Sequence, residues 1–111
     1  MQRGARLLKI EHLCLFKLKP DVPDSDKKKM IRSFHELKGR IPGLLEVSIG
    51  ENVTEETEFM HGYHLGMRML FESHEHLRRY LLHPEHVELS RFVFSIIEDV
   101  SVCDYYVEGF A

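Results

Sequence analysis

The sequence predicts an α+β fold of the ferredoxin-like kind, a four-stranded antiparallel sheet with helices on one face. Two observations predict it: four segments show the apolar pattern of strands, and three others show the apolar spacing of helices. Their order along the chain is β-α-β-β-α-α-β, which is typical of a layered α+β sandwich. The length of 111 residues fits one domain, so we assign residues 1–111 to a single domain.

The first strand is predicted at residues 7–18, an apolar-rich run that a proline-containing turn ends. One face of this strand carries Ile10, His12, Cys14, Phe16 and Leu18. The other face carries Leu13 and Leu15, so we expect both faces to be largely buried. Because helices would cover only one face of the sheet, the apolar side chains on the other face predict a partner.

A helix is predicted after the turn, because Asp24 or Ser25 can cap it and apolar residues follow at helical spacing. These apolar residues are Met30, Phe34, Leu37 and Ile41, with Ile31 beside them. They predict an amphipathic helix of about four turns with lysines on its solvent face. Pro42 and Gly43 end the predicted helix.

Two further strands are predicted, separated by an acidic loop at residues 50–61 that shows no period. Residues 44–49 alternate between apolar and polar side chains, which places Leu45 on the apolar side of a half-exposed strand. Residues 63–71 alternate again, and they predict the third strand. The apolar face of this strand would carry Tyr63, Leu65, Met67, Met69 and Phe71.

The last third of the chain predicts two helices and a final strand. Ser73 can cap a short helix, and the pair of His83 and Pro84 interrupts that helix. Pro84 suits the first turn of a second helix, whose broad apolar surface extends to Ile97. Residues 99–107, rich in valine and tyrosine, predict the final strand.

The composition excludes several classes of protein. The formal net charge of −3 and the pI of about 6.2 argue against a general nucleic-acid binder, so we expect no nucleic-acid partner. No apolar run approaches the length that crosses a bilayer, and the first residues lack the apolar stretch of a signal peptide, so we expect no membrane partner. Cys14 and Cys103 lie in apolar, strand-like runs, which predicts two buried free thiols in a cytoplasmic protein.

Histidine is unusually frequent, with eight residues in the chain and most of them between His61 and His86. His83 and His86 lie three residues apart, but no pair follows a strong zinc signature such as His-Glu-x-x-His, and Cys-x-x-Cys is absent. We therefore expect no metal ion and no cofactor. An imidazole near its free pKa of about 6.5 can accept a proton at neutral pH. If the protein catalyses a reaction, we therefore expect the reaction to use this histidine-rich region.

Three segments resemble a known family: residues 11–19, residues 62–73, and residues 80–87, which contain the motif His-Pro-Glu-His. The final strand, with Asp104 followed by Tyr105, also fits. The order and spacing of these segments resemble the stress-responsive dimeric α/β-barrel (Dabb) family over most of the chain. The resemblance implies a homodimer in which two four-stranded sheets face each other and form a dimeric α+β barrel. A homodimer agrees with the partner expected from the apolar strand face.

The resemblance also implies roles for particular residues. One plant member of the family is a cofactor-free polyketide cyclase, in which the second histidine of His-Pro-x-His is the catalytic base and a tyrosine six residues earlier is paired with it. These roles correspond to His86 and Tyr80 in this sequence. A further pocket histidine of the cyclase matches His12. Two pocket positions differ, because Phe34 stands where the cyclase has a tyrosine and Leu65 where it has a histidine.

The same residues have a purely structural interpretation. His83 can cap the second helix of the interrupted pair, and His86 can hydrogen-bond backbone near the break. Tyr80 can be a core residue with a satisfied hydroxyl. As functional groups, an imidazole and a phenol in an apolar cavity suit proton abstraction next to a carbonyl and stabilisation of the resulting oxyanion.

Three functions stay open at this point. The first is a small cytosolic Dabb-type protein that binds a small apolar molecule in a pocket between sheet and helices, with no established reaction. The second is a cofactor-free enzyme that uses His86 as general base on a polyketide-like or other carbonyl substrate. The third is a structural, stress-linked dimer whose core only packs. For the first two we expect His12, Tyr80 and His86 to converge on one cavity, with Phe34 and Leu65 lining its apolar side.

Overall fold

The computed structural model describes residues 8–107, and its helices and strands follow the predicted order. The strands pair antiparallel in the spatial order β2-β3-β1-β4, which confirms the α+β, ferredoxin-like fold. Leu7, the first residue of the predicted first strand, lies outside the described residues. The elements are β1 (Lys9–Leu18), α1 (Asp24–His35), β2 (Leu44–Glu51), β3 (Leu65–Phe71), α2 (His74–Leu82), α3 (Pro84–Ile96) and β4 (Ile97–Val107).

One face of the sheet is covered by the helices, and it holds the core. We call it the covered face. Strand β1 lies between β3 and β4, and its Ile10, Cys14 and Phe16 are buried there. On the opposite side, the open face, Leu15 is 46% exposed. The expectation that both faces of β1 are largely buried is therefore wrong for a single chain, because the helices lie on one side of the sheet alone.

Strand β3 shows the predicted alternation, with Leu65, Met67, Met69 and Phe71 all buried on the covered face. It begins at Leu65, two residues later than predicted. The reason is a turn, in which the amide of Tyr63 donates to the carbonyl of Met60 and His61 and Gly62 both have positive φ. Tyr63 instead donates its hydroxyl hydrogen to Asp99, 2.7 Å away.

Helix α1 ends at His35, six residues before Ile41, the last apolar residue of the predicted helix. Leu37 and Ile41 are buried as predicted, but the chain presents them from turns, and Gly39 has a φ of 88° that L side chains rarely adopt. At the other end, Pro23 is the N-cap residue and no side chain caps the helix. The prediction that Asp24 or Ser25 caps α1 is therefore wrong, because both residues already belong to its first turn.

Strand β2 contains an irregularity that the alternation did not predict. The pairing with β3 shifts register between Leu44 and Glu46, so a bulge forms at Leu45. As a result Leu44 is buried in the core and Leu45 is half-buried. The alternation had placed Leu45 on the apolar side of a half-exposed strand, and the bulge gives the buried position to Leu44 instead.

The interruption between α2 and α3 is built as predicted. The Ser73 hydroxyl accepts a hydrogen bond from the amide of His76 and caps α2. The Nδ1 atom of His83 accepts from the amide of Glu85, 3.1 Å away, and caps α3, in which Pro84 occupies the first turn. His83 is thus both the C-cap residue of α2 and the N-cap residue of α3. The two helices meet at this residue, which fixes the direction in which α3 leaves α2.

The end of α3 differs from the prediction. The helix ends at Ile96 and β4 begins directly at Ile97, so Ile97 is a strand residue and the strand starts two residues before Asp99. Pairing with β1 explains the early start, because Ile97 pairs with Leu18 across a register shift. Cys103 is exposed in β4, so the prediction that both thiols are buried holds for Cys14 alone.

Candidate functional site

A cavity of about 160 Å³ lies between the covered face of the sheet and the helices. Most of its wall is carbon, supplied by all three helices and by β1, β3 and β4. Leu81, Phe94 and Val102 belong to this wall and are also exposed, so the cavity opens to solvent beside β4. An apolar cavity with few polar groups is the usual form of a small-molecule site.

The three polar residues predicted to converge lie together at this cavity. His12 comes from β1, Tyr80 from α2 and His86 from the first turn of α3. The ring centroids of Tyr80 and His86 are 4.3 Å apart, and those of His12 and Tyr80 are 6.1 Å apart. A single small molecule could therefore touch all three rings.

The two predicted apolar lining residues are placed differently. Phe34 lines the cavity from α1, next to Phe16, with the two ring centroids 5.9 Å apart. Leu65 does not line it. Leu65 pairs with Phe16 across the sheet and is buried in the closed core, while Met67, the next residue on that face, reaches the cavity wall.

His86 makes two hydrogen bonds that identify its tautomer. Its Nδ1 lies 3.1 Å from the carbonyl oxygen of Leu81, which can only accept, so Nδ1 carries the proton. In the neutral ring, Nε2 then accepts from the hydroxyl of Ser90, 3.2 Å away. Burial lowers the pKa of His86; the Leu81 carbonyl raises it and the neighbouring His12 lowers it further, with a net lowering. The imidazole is therefore a neutral base at neutral pH, with Nε2 as its basic atom.

His12 is held by a partner that the sequence analysis did not identify. Its Nδ1 lies 2.6 Å from Oδ1 of Asp104, although the two residues are 92 positions apart. The pairing of β1 with β4 sets His12 directly opposite Asp104. Antiparallel pairing of the first and last strands was the signal that could have found Asp104, but their register was not known from the sequence.

Cys14 was predicted as a buried thiol, and it also belongs to this site. Its Sγ lies 3.4 Å from Nε2 of His12, on the same face of β1, and it lines the cavity. Burial, and to a smaller extent the charge of Asp104, raises the pKa of the Cys14 thiol to about 12. Cys14 is therefore a protonated thiol at neutral pH.

Tyr80 is 1% exposed and lines the cavity from α2. Buried tyrosine hydroxyls usually have a hydrogen-bond partner, and a ligand in the cavity can supply one here. Burial, and then the neighbouring Cys14, raises the pKa of Tyr80, so the hydroxyl stays protonated. The group is available as a donor to a bound ligand.

The remaining histidines near the site have structural partners. Besides the cap at His83, His76 contacts the Ser73 hydroxyl at 2.7 Å and His74 contacts the Tyr106 hydroxyl at 2.9 Å. Within residues 8–107, no three His, Cys, Asp or Glu side chains are grouped in a way that could hold a metal ion. In the same part of the chain, no helix has both the length and the apolar character needed to cross a membrane.

A larger depression of about 500 Å³ lies at the far end of β1, away from these residues. Its wall is charged and open to solvent, and two of its lysines already have partners. Lys27 lies 2.8 Å from Glu51 and 3.6 Å from Asp24, and Lys19 donates to the carbonyl of Ser95. The smaller cavity, with its apolar wall and convergent polar groups, is therefore the candidate site.

Comparison with known proteins gives one family and several relatives. The family model described as Stress responsive A/B Barrel Domain matches residues 10–107. Olivetolic acid cyclase of Cannabis sativa is 28% identical over 96 residues, which cover 86% of this chain and 94% of the cyclase. The stress-response A/B barrel domain-containing protein DABB1 of Arabidopsis thaliana is 33% identical over 104 residues, 89% of this chain, and the chain spans 47% of the length of DABB1.

Solved structures give the same fold. A crystal structure of an Arabidopsis thaliana protein superposes with a TM-score of 0.83 at 25% identity, covering 92% of this chain and 98% of that one. A dimeric protein of unknown function from Bacteroides fragilis, with a ferredoxin-like fold, superposes with a TM-score of 0.71 at 25% identity, covering 89% and 96%.

Proposed function

Because the chain belongs to the stress responsive A/B barrel domain family, we propose that it binds a small, largely apolar molecule in the cavity between its sheet and its helices. The observation that carries this proposal is the convergence of His12, Tyr80 and His86 on a cavity whose wall is otherwise mostly carbon. A dry apolar cavity of roughly 150 Å³ accommodates benzene. A ligand with on the order of six heavy atoms fits the enclosed part, and a longer chain can leave through the opening beside β4.

The polar groups define which ligand suits the cavity. The Tyr80 hydroxyl can donate a hydrogen bond, and Nε2 of His86 can accept one if the Ser90 hydroxyl turns away. A ketone or an aldehyde would use the tyrosine, and an alcohol or a phenol would use both groups. A charged ligand is disfavoured, because the apolar wall cannot replace its hydration.

We also propose that the protein is a homodimer joined through the open face of the sheet. Leu15 on the central strand β1 and Tyr105 on the edge strand β4 are both about half exposed on that face, and exposed apolar surface of this kind favours a protein partner. The dimeric relative from Bacteroides fragilis supports the assembly. Free thiols at Cys14 and Cys103 are typical of a reducing compartment, and they support a cytosolic location.

A second candidate function is cofactor-free catalysis with His86 as general base. The lowered pKa of His86 favours it, and so does the similarity to olivetolic acid cyclase. In this reaction Nε2 of His86 removes a proton next to a carbonyl of a polyketide-like substrate, while the Tyr80 hydroxyl stabilises the enolate oxygen. Phe34 contributes no polar group where the cyclase is expected to have a tyrosine, so the substrate would differ from that of the cyclase. If neither function exists, the remaining alternative is a dimer whose core only packs.

The binding proposal is tested by titrating the protein with methyl propyl ketone and with phenol while recording the aromatic NMR signals of Tyr80 and His86. Saturable shifts of both rings are expected. Tyr80→Phe should weaken binding of the ketone about tenfold, because it removes one hydrogen bond from a desolvated carbonyl. Tyr106→Phe is the matched control, since Tyr106 lies on β4 outside the cavity wall, and it should bind as the wild type does. No saturable shift with either probe would overturn the proposal.

His86→Ala separates binding from catalysis. If His86 is a base, the variant loses turnover of an activated carbonyl substrate and still binds the ketone. If His86 only joins the two helices, the variant binds as before, shows no activity to lose, and unfolds with about 1–2 kcal/mol less free energy, through loss of its hydrogen bonds to Leu81 and Ser90. Thermal melting and substrate assays on one variant distinguish the two results.

A further inference from the structure

Cys14 lines the cavity and takes no part in the proposed binding of a ligand. It lies two residues after His12 on β1, so both side chains point to the covered face. The Cys14 Sγ is 3.4 Å from Nε2 of His12, and Nδ1 of His12 is 2.6 Å from Oδ1 of Asp104. A thiol, an imidazole and a carboxylate thus form a continuous chain of contacts that ends inside the cavity.

The direction of this chain follows from the chemistry of its members. The Asp104 carboxylate accepts, so Nδ1 of His12 carries a proton. In the neutral ring, Nε2 then offers its lone pair, and the Cys14 thiol donates to it. A base in contact with a nucleophile, and oriented by a third group, is the arrangement that activates cysteine and serine nucleophiles.

A second observation points to a ligand at the same place. Tyr80 is 1% exposed and lines the same cavity, so its hydroxyl can donate a hydrogen bond to a ligand there. Its ring packs edge-to-face with the ring of His12, with the centroids 6.1 Å apart, and both residues line the cavity. Cys14 lines the same cavity, so a small ligand whose carbonyl oxygen is held by this hydroxyl shares the cavity with the Cys14 sulfur.

We propose that Cys14 forms a covalent adduct with small apolar α,β-unsaturated ketones and aldehydes held in the cavity. The inference rests on the proposed function, because the same cavity must first bind the molecule. The Cys14 thiol gives its proton to Nε2 of His12, and the sulfur electron pair forms a bond to the β-carbon. The π electrons of the C=C bond form a new double bond between the α-carbon and the carbonyl carbon, and the C=O π electrons move to the oxygen, where the Tyr80 hydroxyl stabilises the enolate. His12 then returns the proton to the α-carbon, so S–H has added across C=C without any other reactant.

Selectivity follows from burial. A thiol with a pKa near 12 holds almost no thiolate at neutral pH, so reagents that depend on free thiolate react slowly with Cys14. Cys103, which is exposed on the open face, meets such reagents first. Cys14 reacts when an apolar enone occupies the cavity and His12 accepts the proton. Polarity of the reagent, rather than its intrinsic reactivity, then decides which cysteine is modified.

The test uses the full chain with Cys103→Ser, so that Cys14 is the single remaining cysteine of the sequence. Ethylideneacetone, an apolar enone of suitable size, should add one equivalent to Cys14, detected by intact mass and peptide mapping. Acrylamide is a polar reagent that reacts by the same addition. When the rate of each reagent with Cys14 is divided by its rate with a free thiol in solution, acrylamide should be at least about tenfold slower than ethylideneacetone. His12→Gln should slow the enone reaction about 100-fold or more, and Asp104→Asn should slow it about tenfold or more.

The pH dependence distinguishes base-assisted attack from a merely structural role of His12. Base-assisted attack does not depend on the thiolate fraction, so its rate changes little between neutral and alkaline pH, whereas attack by free thiolate rises tenfold per pH unit toward the thiol pKa of about 12. A rate that keeps rising, or a rate unchanged in Asp104→Asn, would overturn the inference even if His12→Gln does not fold.

Methyl propyl ketone, the saturated analogue, separates this inference from the binding proposal. If the ketone binds the cavity and the enone leaves no adduct at Cys14, the covalent inference is wrong and the binding proposal stands. If the ketone neither binds nor slows the enone reaction, both are wrong. Slower adduct formation in the presence of the ketone supports both.

Discussion

The two faces of the sheet differ in the partners that their buried polar side chains have. On the covered face, His12 and His86 each have partners for both ring nitrogens, and the cavity lies between them. On the open face, Arg68 bridges two carboxylates, those of Glu11 and Glu46. Glu11 is buried there, yet its Oε1 has no hydrogen-bond partner among the described residues.

This difference indicates what each face of the sheet lacks in a single chain. The covered face is closed by helices of the same chain, and the Tyr80 hydroxyl lies at a cavity that a ligand can enter. The open face leaves both an apolar side chain, Leu15, and a carboxylate oxygen of Glu11 unfinished. We infer that a ligand completes the first face and a second copy of the chain completes the other.

The largest expected effect is on the covered face. Tyr80→Ala should lower the free energy of unfolding by about 4 kcal/mol, because it removes a buried aromatic ring that packs against Phe71 and His86. Tyr80→Phe should stay within about 1 kcal/mol of the wild type, since it keeps the aromatic ring and removes only the hydroxyl. Urea unfolding measures both variants. A Phe variant as unstable as the Ala variant would contradict the assignment of the hydroxyl to a ligand.

The next effect concerns assembly through the open face. Leu15→Asp should raise the dimer dissociation constant by a factor of about 100 or more, because a carboxylate buried without a partner costs about 3 kcal/mol or more. Leu82→Asp is the matched control. Leu82 is 82% exposed on α2, away from the open face, and its substitution should leave the dimer intact. Sedimentation velocity measures the result, and an unchanged dimer with Leu15→Asp would place the interface elsewhere.

A smaller effect tests the ion pairs of the open face. Arg68→Met should lower the free energy of unfolding by about 2 kcal/mol, because Glu11 is then a buried carboxylate without its partner. This figure is below the usual cost for a buried pair, since the Arg68 side chain is 41% exposed. Adding Glu11→Gln should recover most of the loss. If the double variant is as unstable as Arg68→Met, packing of the arginine stem rather than the charge explains the effect.

The smallest effect is a pH dependence that originates on the covered face. The pKa of His86 is lower in the folded protein than its ordinary value of 6.5. As the pH falls, the unfolded chain therefore binds a proton at this histidine before the folded protein does. The free energy of unfolding is highest above pH 6.5 and decreases as the pH falls from 6.5 to the lower pKa of the folded protein. His86→Gln should flatten this part of the profile. His35→Gln, at an exposed position of α1, should leave the profile unchanged.

The sequence predicted the parts of the fold that depend on local patterns. Strand β3 alternates over its whole length, and all four of its predicted core residues from Leu65 onward are buried. The end of α1 could not be predicted in the same way. Leu37 and Ile41 continue the helical spacing, but turns bury them equally well, so the apolar pattern does not distinguish a helix from a turn that follows it.

The site residues that belong to a sequence motif were predictable, whereas those that meet only through strand pairing were not. His86 and Tyr80 lie on consecutive helices, and the resemblance pointed to both. Asp104 was missed as a partner of His12 because their contact depends on the register between the first and last strands. Leu65 was misplaced for a related reason: it shares a face with Met67, but its position along β3 carries it beyond the cavity.

The pairing of β1 with β4 also affects how the protein folds. These strands are neighbours in the sheet, yet His12 and Asp104 are separated by 92 positions, so nearly all of the described chain must be synthesised before they can meet. Domains with such non-local pairing fold more slowly than helical bundles. Until β4 arrives, a nascent chain exposes one backbone edge of β1 together with the unprotected Cys14 thiol. Aggregation and oxidation during translation are therefore hazards that this topology carries and that the finished domain does not show.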